Sequence, residues 1–251
     1  MAGHSKWHNI KHRKAAVDKK RGRIWTKIAK AIIVAAKHGG PDPESNLTLR
    51  YAIDEARYAN MPRDTIERAV KKGAGGGDTD NYEAIRYEGY APGGVAVIVD
   101  ALTDNRTRTI TDLRTAFGAY GGNVGSSGCV SYLFQSRGQI FASGTGVSDE
   151  EMMELAIEAG ALDVEPPEED DSESPVWSII THVADFNTVK DKLEQAKLHV
   201  IEAQLVMLPE TLVAVRAEHA KQVMALIDEV EDLDDVQKVY SNADIPDEVL
   251  S

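Results

Sequence analysis

The sequence predicts an α+β protein of three domains. An N-terminal helical bundle precedes two α/β-sandwich-type domains, one of them a ferredoxin-like βαββαβ unit inserted in the other. Three observations carry this expectation. Apolar residues recur at helical spacing through Val70 and then give way to strand-like runs from Ala84 onward. The glycine-rich stretch Gly73-Ala74-Gly75-Gly76-Gly77-Asp78 separates the two regimes as a flexible linker. The last helix and strand have no partner elements close by in sequence, so they must complete a domain begun earlier. The expected domains are 1–77, then 78–136 together with 208–251, with 137–207 inserted.

The elements follow in chain order. His12–Lys20 reads as a short basic helix. Arg23–His38 is a second, with Ile24, Ile28, Ile32 and Ala35 on one stripe, stopped by Gly39-Gly40-Pro41. Ser45 is expected to cap a third helix that runs to Ala59. After Asn60-Met61-Pro62, Asp64 starts a fourth with Glu67 placed as in a capping box, and Gly73 ends it. Ala84–Tyr90 and Val95–Leu102 are strands about a Gly93-Gly94 turn, Arg106–Tyr120 is a helix, and Cys129–Phe134 is a strand. The inserted unit reads Gln139–Ala142 (strand), Asp149–Ala159 (helix), Leu162–Glu165 and Pro175–His182 (strands), Phe186–Ala196 (helix) and Val200–Val206 (strand). Helix Ala217–Val230 and strand Val236–Ser241 close the chain.

Charge is unevenly placed. The net charge is −13, yet residues 1–37 hold 11 Lys and Arg against the single acid Asp18. Residues 1–78 sum to +9 and the remainder to −22. Such asymmetry calls for a polyanionic partner at the basic end, where neutralised phosphates release counterions. Lys6, Trp7, His8, Lys11, His12, Arg13, Lys14, Lys19, Lys20, Arg21, Arg23, Lys27 and Lys30 are therefore the expected nucleic-acid contacts. Trp7 either stacks on an exposed base or anchors the terminus, whereas Trp25, beside the apolar stripe, belongs to the core. Arg106 and Arg108, where a strand turns into a helix, are a secondary candidate for phosphate contact. Capping by Asp104 or Asn105 is the plainer reading of that turn.

Other chemistry is not signalled. Cys129 is the only cysteine, which excludes an internal disulfide, and it sits among apolar residues without a local base. His4, His8 and His12 would share a face if helical, but the surrounding cations disfavour a divalent ion. The loop Gly121–Gly128 is glycine-rich without the Lys-Ser/Thr ending of a phosphate loop. The acidic stretches Glu165–Asp171 and Asp228–Asp235 lack calcium-loop spacing and read as solvated surface, or as a face for basic proteins. No nucleophile–base grouping appears, so no enzyme, cofactor or metal is expected. No secretory leader or membrane span is read, and a cytoplasmic location is expected.

Blocks along nearly the whole chain resemble the YebC/PmpR family of bacterial regulators, whose mitochondrial relative activates translation of a cytochrome oxidase subunit. They are Met1-Ala2-Gly3-His4-Ser5-Lys6-Trp7, His12-Arg13-Lys14-Ala15-Ala16, Asn60-Met61-Pro62, Ile66-Glu67-Arg68-Ala69 and Lys71-Lys72-Gly73. Further on come Tyr87-Glu88-Gly89-Tyr90, Pro92-Gly93-Gly94, Leu102-Thr103-Asp104-Asn105-Arg106, Leu233-Asp234-Asp235-Val236-Gln237 and Val239-Tyr240-Ser241-Asn242. The resemblance implies a three-domain protein without cofactor or catalysis, acting either in DNA-binding transcriptional regulation or in ribosome-associated relief of translational stalling. The residues tilt the expectation toward the ribosome-associated, RNA-binding role. No helix-turn-helix unit is evident, and a bipolar chain suits bridging rRNA at its basic end and basic ribosomal proteins at its acidic domains. The DNA-binding regulator is the alternative, and a small-molecule sensor built on the ferredoxin-like unit is a further one.

Overall fold

A computed structural model describes residues 18–75, 81–143, 147–167, 176–246 and 249, with side chains of the first helix from Gly22 onward. Three helices open it: α1 (Asp18–Gly39), α2 (Leu47–Tyr58) and α3 (Arg63–Ala74). Ile28, Ile32, Ala35 and Ala36 line one stripe of α1 and are buried against Leu49, Ala52, Ala56, Ile66 and Ala69 of the other two. The many alanines let the helices approach closely. At Gly73 a Cβ would lie 2.3 Å from the carbonyl oxygen of Ile33 and 2.8 Å from the Ala36 Cβ, so only glycine fits the crossing. Gly73 therefore serves packing, and α3 continues past it to Ala74.

Three local expectations change. The helix α1 is continuous from Asp18, with no break before Arg23; the part of the expected His12–Lys20 helix before residue 18 lies outside the described residues. The cap of α2 is Asn46, not Ser45. The Asn46 amide accepts from the Leu49 N–H at 3.1 Å while its NH2 donates to the carbonyls of Ala35 and Gly40 at 2.8 and 2.9 Å. A serine hydroxyl has one proton and cannot donate to two carbonyls at once while capping, and Ser45 instead donates to the backbone carbonyl of Asp42. The cap of α3 is Pro62, without a side-chain bond, and Glu67 accepts from Arg63 at 2.7 Å instead of closing a capping box.

The chain divides into two compact units, residues 1–135 with 208–251, and residues 136–207. In the first, β1 (Glu83–Ala91) and β2 (Val95–Thr103) form a hairpin over the turn Pro92–Gly94, where Gly93 and Gly94 take φ of 77° and 78°. Its register runs from Glu83↔Thr103 to Ala91↔Val95. The helix α4 (Arg106–Ala119) and the short strand β3 (Asn123–Val124) follow; α7 (Ala217–Asp232) and β9 (Val236–Ser241) return from the far end of the chain. The antiparallel sheet has the order β3-β1-β2-β9. Val95, Val97 and Val99 pack with Leu113 and Phe117 of α4 and Val223, Leu226 and Val230 of α7 in one core. The expected strand at Cys129–Phe134 is a turn up to Leu133, and a long strand, β4 (Phe134–Ser143), begins only at Phe134. Backbone N–H groups in that turn point at a buried carboxylate rather than at a neighbouring strand.

The second unit contains most of β4, α5 (Asp149–Ala159), β5 (Asp163–Glu165), β6 (Val176–Thr181), α6 (Phe186–Gln195) and most of β7 (His199–Pro209). Its sheet order is β5-β6-β4-β7, and β4–β6 and β5–β6 are antiparallel, which is the ferredoxin-like arrangement of a βαββαβ chain. Ser148 and Glu151 form a capping box on α5, and Gly160 ends it with φ of 105°. Ile140, Ile179, Met152, Ala156, Phe186, Val189 and Leu193 are all buried. A last parallel pair joins β8 (Val213–Ala214) to β10 (Ala243–Asp244) in the first unit.

Candidate nucleic-acid interface

Of the expected nucleic-acid contacts, Lys6, Trp7, His8, Lys11, His12, Arg13 and Lys14 lie outside the described residues. Lys19, Lys20 and Arg21 belong to the first turns of α1, their side chains undescribed. Arg23, Lys27 and Lys30 recur at helical spacing on one face of α1, and that face meets the C-terminal end of α7 and the loop behind it. The guanidinium of Arg23 pairs with Asp232 at 3.0 Å, both side chains being about half exposed. The Lys27 ammonium donates to the carbonyl of Glu231. The Lys30 ammonium donates to Asp235 Oδ1 at 3.3 Å and to the Asp234 carbonyl at 3.2 Å, and sits 4.9 Å above the ring of Tyr82. The last carbonyls of a helix lack intrahelical partners and carry partial negative charge, so cations settle there.

Asp235 is the centre of this seam. Its buried carboxylate accepts from Thr103 Oγ1 at 3.1 Å, Thr109 Oγ1 at 2.8 Å and Arg108 Nη2 at 2.8 Å, besides Lys30. Burial alone would raise its pKa, but the bonds from Arg108 and Thr109 and the charge of Lys30 hold it below the usual value. Arg108 pairs with Asp104 as well, at 2.7 Å, while Arg106 forms a two-point ion pair with Glu83. These partners hold both guanidiniums more firmly protonated than usual. Asn105 caps α4, accepting from the Arg108 N–H at 3.0 Å. The strand–helix turn is thus a capped turn whose two arginines are engaged by the protein's own carboxylates, and a phosphate there would have to displace one of them. A cleft of about 310 Å³ opens between Arg23, Arg108, Asp112 and Asp232, lined by both signs of charge.

A second buried carboxylate, Glu88 of β1, has a different role. It accepts from the backbone N–H groups of Gly128, Val130 and Ser131 at 2.7, 2.7 and 2.8 Å. Burial opposes its ionisation, yet the three N–H donors win and its pKa lies below the ordinary 4.5. The phenol of Tyr90 donates to the Cys129 carbonyl at 3.0 Å. Burial, with the Glu88 charge added, pushes the Cys129 thiol up, which disfavours the thiolate form a nucleophile needs. Trp25, expected in the core, is partly buried and packs against it, its indole N–H donating to the Ala59 carbonyl at 2.9 Å.

Outside the seam, the helical domain presents cations that were not among the expected contacts. On α3, Arg63, Arg68, Lys71 and Lys72 are exposed. Arg63 and Arg68 pair within the helix with Glu67 and Asp64, exposed pairs that exchange readily for other partners. The Lys71-Lys72 doublet beside a glycine was the sequence signal for this face. Among the described residues, no cluster of three or more His, Cys, Asp or Glu could hold a metal ion. Nor is any helix there long and apolar enough to cross a membrane.

Models of two domain families match in series, the TACO1/YebC protein N-terminal domain over residues 5–76 and the TACO1/YebC second and third domain over residues 82–243. The transcriptional regulatory protein PmpR of Pseudomonas aeruginosa is 50% identical over 251 residues, covering 100% of this chain and 99% of its own length. A probable transcriptional regulatory protein of Syntrophotalea carbinolica is also 50% identical over 251 residues, at 100% and 98% coverage. The crystal structure of a conserved hypothetical protein from Aquifex aeolicus shares the fold, with a TM-score of 0.84 and 47% identity over 95% of this chain and 96% of that one.

Proposed function

Because the chain belongs to the TACO1/YebC family, whose relatives are named as transcriptional regulatory proteins, we propose that it is a DNA-binding regulator of transcription that grips duplex DNA through its cationic helical domain. The observation that carries this reading is the charge map: residues 1–37 sum to +10 in a chain of net charge −13. Such a segment neutralises phosphates, and the anionic remainder confines binding to the basic region by repulsion. The contacts proposed are Lys6, Trp7, His8, Lys11, His12, Arg13, Lys14, Lys19, Lys20 and Arg21, extended by Lys71 and Lys72 of α3. Arg23 contributes at the edge of the seam. Lys27 and Lys30 act indirectly, by holding α1 in place. The relatives' names move the balance from the ribosome-associated reading toward DNA, and they are regulatory rather than enzymatic names.

Binding of labelled duplex DNA by the intact chain, followed by fluorescence anisotropy across a salt series, tests this reading. The expected result is saturable binding that weakens steeply with salt. The ribosome-associated role is the second reading, favoured by the bipolar charge, which suits a bridge between rRNA and basic proteins. Co-sedimentation with ribosomes, without saturable DNA binding, would put it in first place.

A further inference from the structure

We propose that the outer face of α5, in the inserted unit, docks a basic amphipathic segment of a partner protein. The inward face of this helix is complete without help: Met152, Ala156 and Ala159 are buried in the unit's core. The neighbouring stripe is apolar as well, yet faces solvent. Met153 is 47% exposed and Ile157, one turn on, 67% exposed; Leu162, just past the Gly160 cap, is 46% exposed. Scattered apolar residues are ordinary on a protein surface. Two large ones at i and i+4 share one helix face and form a patch.

The charge around the patch selects the partner. Glu150, Glu154 and Glu158 form the adjoining exposed stripe of the same helix, so Met153 and Ile157 each have a carboxylate three residues before them. Over residues 136–207 there are 16 Asp and Glu against 4 Lys and Arg, a net charge of −12. A nucleic acid would be repelled from this unit, and so would an acidic protein surface. A helix or extended segment with Lys and Arg flanking two or three apolar side chains matches both features, its apolar residues covering Met153 and Ile157 and its cations meeting the glutamate stripe. The apolar anchors supply affinity and the acidic rim supplies selection. This surface belongs to residues 136–207, a different compact unit from the cationic helical domain, and the proposal does not depend on which nucleic acid that domain binds.

Calorimetric titration of the intact chain with a synthetic helical peptide of about 18 residues, leucine on one face and lysine on the other, tests the proposal. A control peptide carries serine in place of every leucine. The expected result is micromolar binding of the first peptide and binding about tenfold weaker or worse for the control. Met153→Ser with Ile157→Ser weakens the first peptide about tenfold and leaves the melting temperature nearly unchanged, since both side chains are outward. Glu154→Gln with Glu158→Gln weakens it less and flattens its salt dependence. Equal affinity for both peptides, or no loss in either double variant, overturns the proposal. A concentration-dependent dimer abolished by Ile157→Ser, without peptide binding, overturns it too, since the occupant is then a second copy of the chain.

Discussion

Two buried carboxylates in the same unit, Glu88 and Asp235, illustrate two ways of using a negative charge. Glu88 is satisfied by three backbone N–H groups close together in the chain, Gly128, Val130 and Ser131, and so fixes one loop on one sheet. Asp235 is satisfied by side chains drawn from three places, Lys30 on α1, Thr103 at the end of β2, and Arg108 and Thr109 on α4. It therefore ties the helical domain to the sheet. A cationic residue counted in a sequence is thus not the same as a cation available to a ligand. Lys30 belongs to the basic run, yet its ammonium lies against Asp235 and the ring of Tyr82.

Removing Asp235 should have the largest effect. Asp235→Ala leaves Lys30 and Arg108 facing each other across a hole, and a loss of about 3–5 kcal/mol of unfolding free energy is expected. Urea denaturation measures it, and amide exchange should show α1 loosened along with α4. Glu88→Gln keeps the shape but replaces one acceptor oxygen with a donor aimed at backbone N–H groups. A loss of about 1–3 kcal/mol is expected, with faster exchange confined to residues 125–131. If Glu88→Gln loosens α1 as much as Asp235→Ala does, the distinction between the two sites fails.

Acid should reveal both carboxylates at once. Each has a folded pKa below its ordinary value, 4.5 for Glu88 and 3.8 for Asp235. Their stabilisation is complete above those ordinary values and disappears as pH falls through the lower folded ones. Melting temperature should therefore drop on acidification below about pH 4.5, and the drop should be shallower in Glu88→Gln and in Asp235→Asn. Smallest of all, Arg63→Ala should change stability by no more than about 0.5 kcal/mol, because its pair with Glu67 is open to solvent.

Much of this arrangement was legible in the residues. The apolar stripe of α1 from Ile28 onward, the hairpin about Gly93-Gly94 and the βαββαβ order of the inserted unit all follow from spacing and turn chemistry, and the structure has them; Ile24, expected on the same stripe, is instead 42% exposed, one turn before the buried part of the helix. The return of α7 and β9 to the first sheet follows from their lack of nearby partners. What spacing did not reveal depends on long-range partners. The turn at Cys129–Leu133 has a strand-like composition, and only Glu88, some forty residues earlier, explains why its N–H groups turn inward. Likewise, no local pattern distinguishes Lys27 and Lys30, which meet the end of α7, from the lysines before them. Asn46 displaced Ser45 as a cap because it reaches back to α1, a partner outside its own helix.

On the function proposed above, the basic run divides into a part proposed to bind phosphate and a part, Lys27 and Lys30, that contacts the protein's own backbone and Asp235. The salt dependence of duplex-DNA binding by two variants is the decisive test of that division. Replacing Lys11, Arg13, Lys14 and Lys20 by Ala should flatten the slope of log K against log salt by roughly 0.9 for each phosphate no longer neutralised. Replacing Lys27 and Lys30 by Ala should lower stability while leaving that slope within error of the parent. The reverse pattern, an unchanged slope in the first variant and a flattened one in the second, would show that the division is drawn in the wrong place.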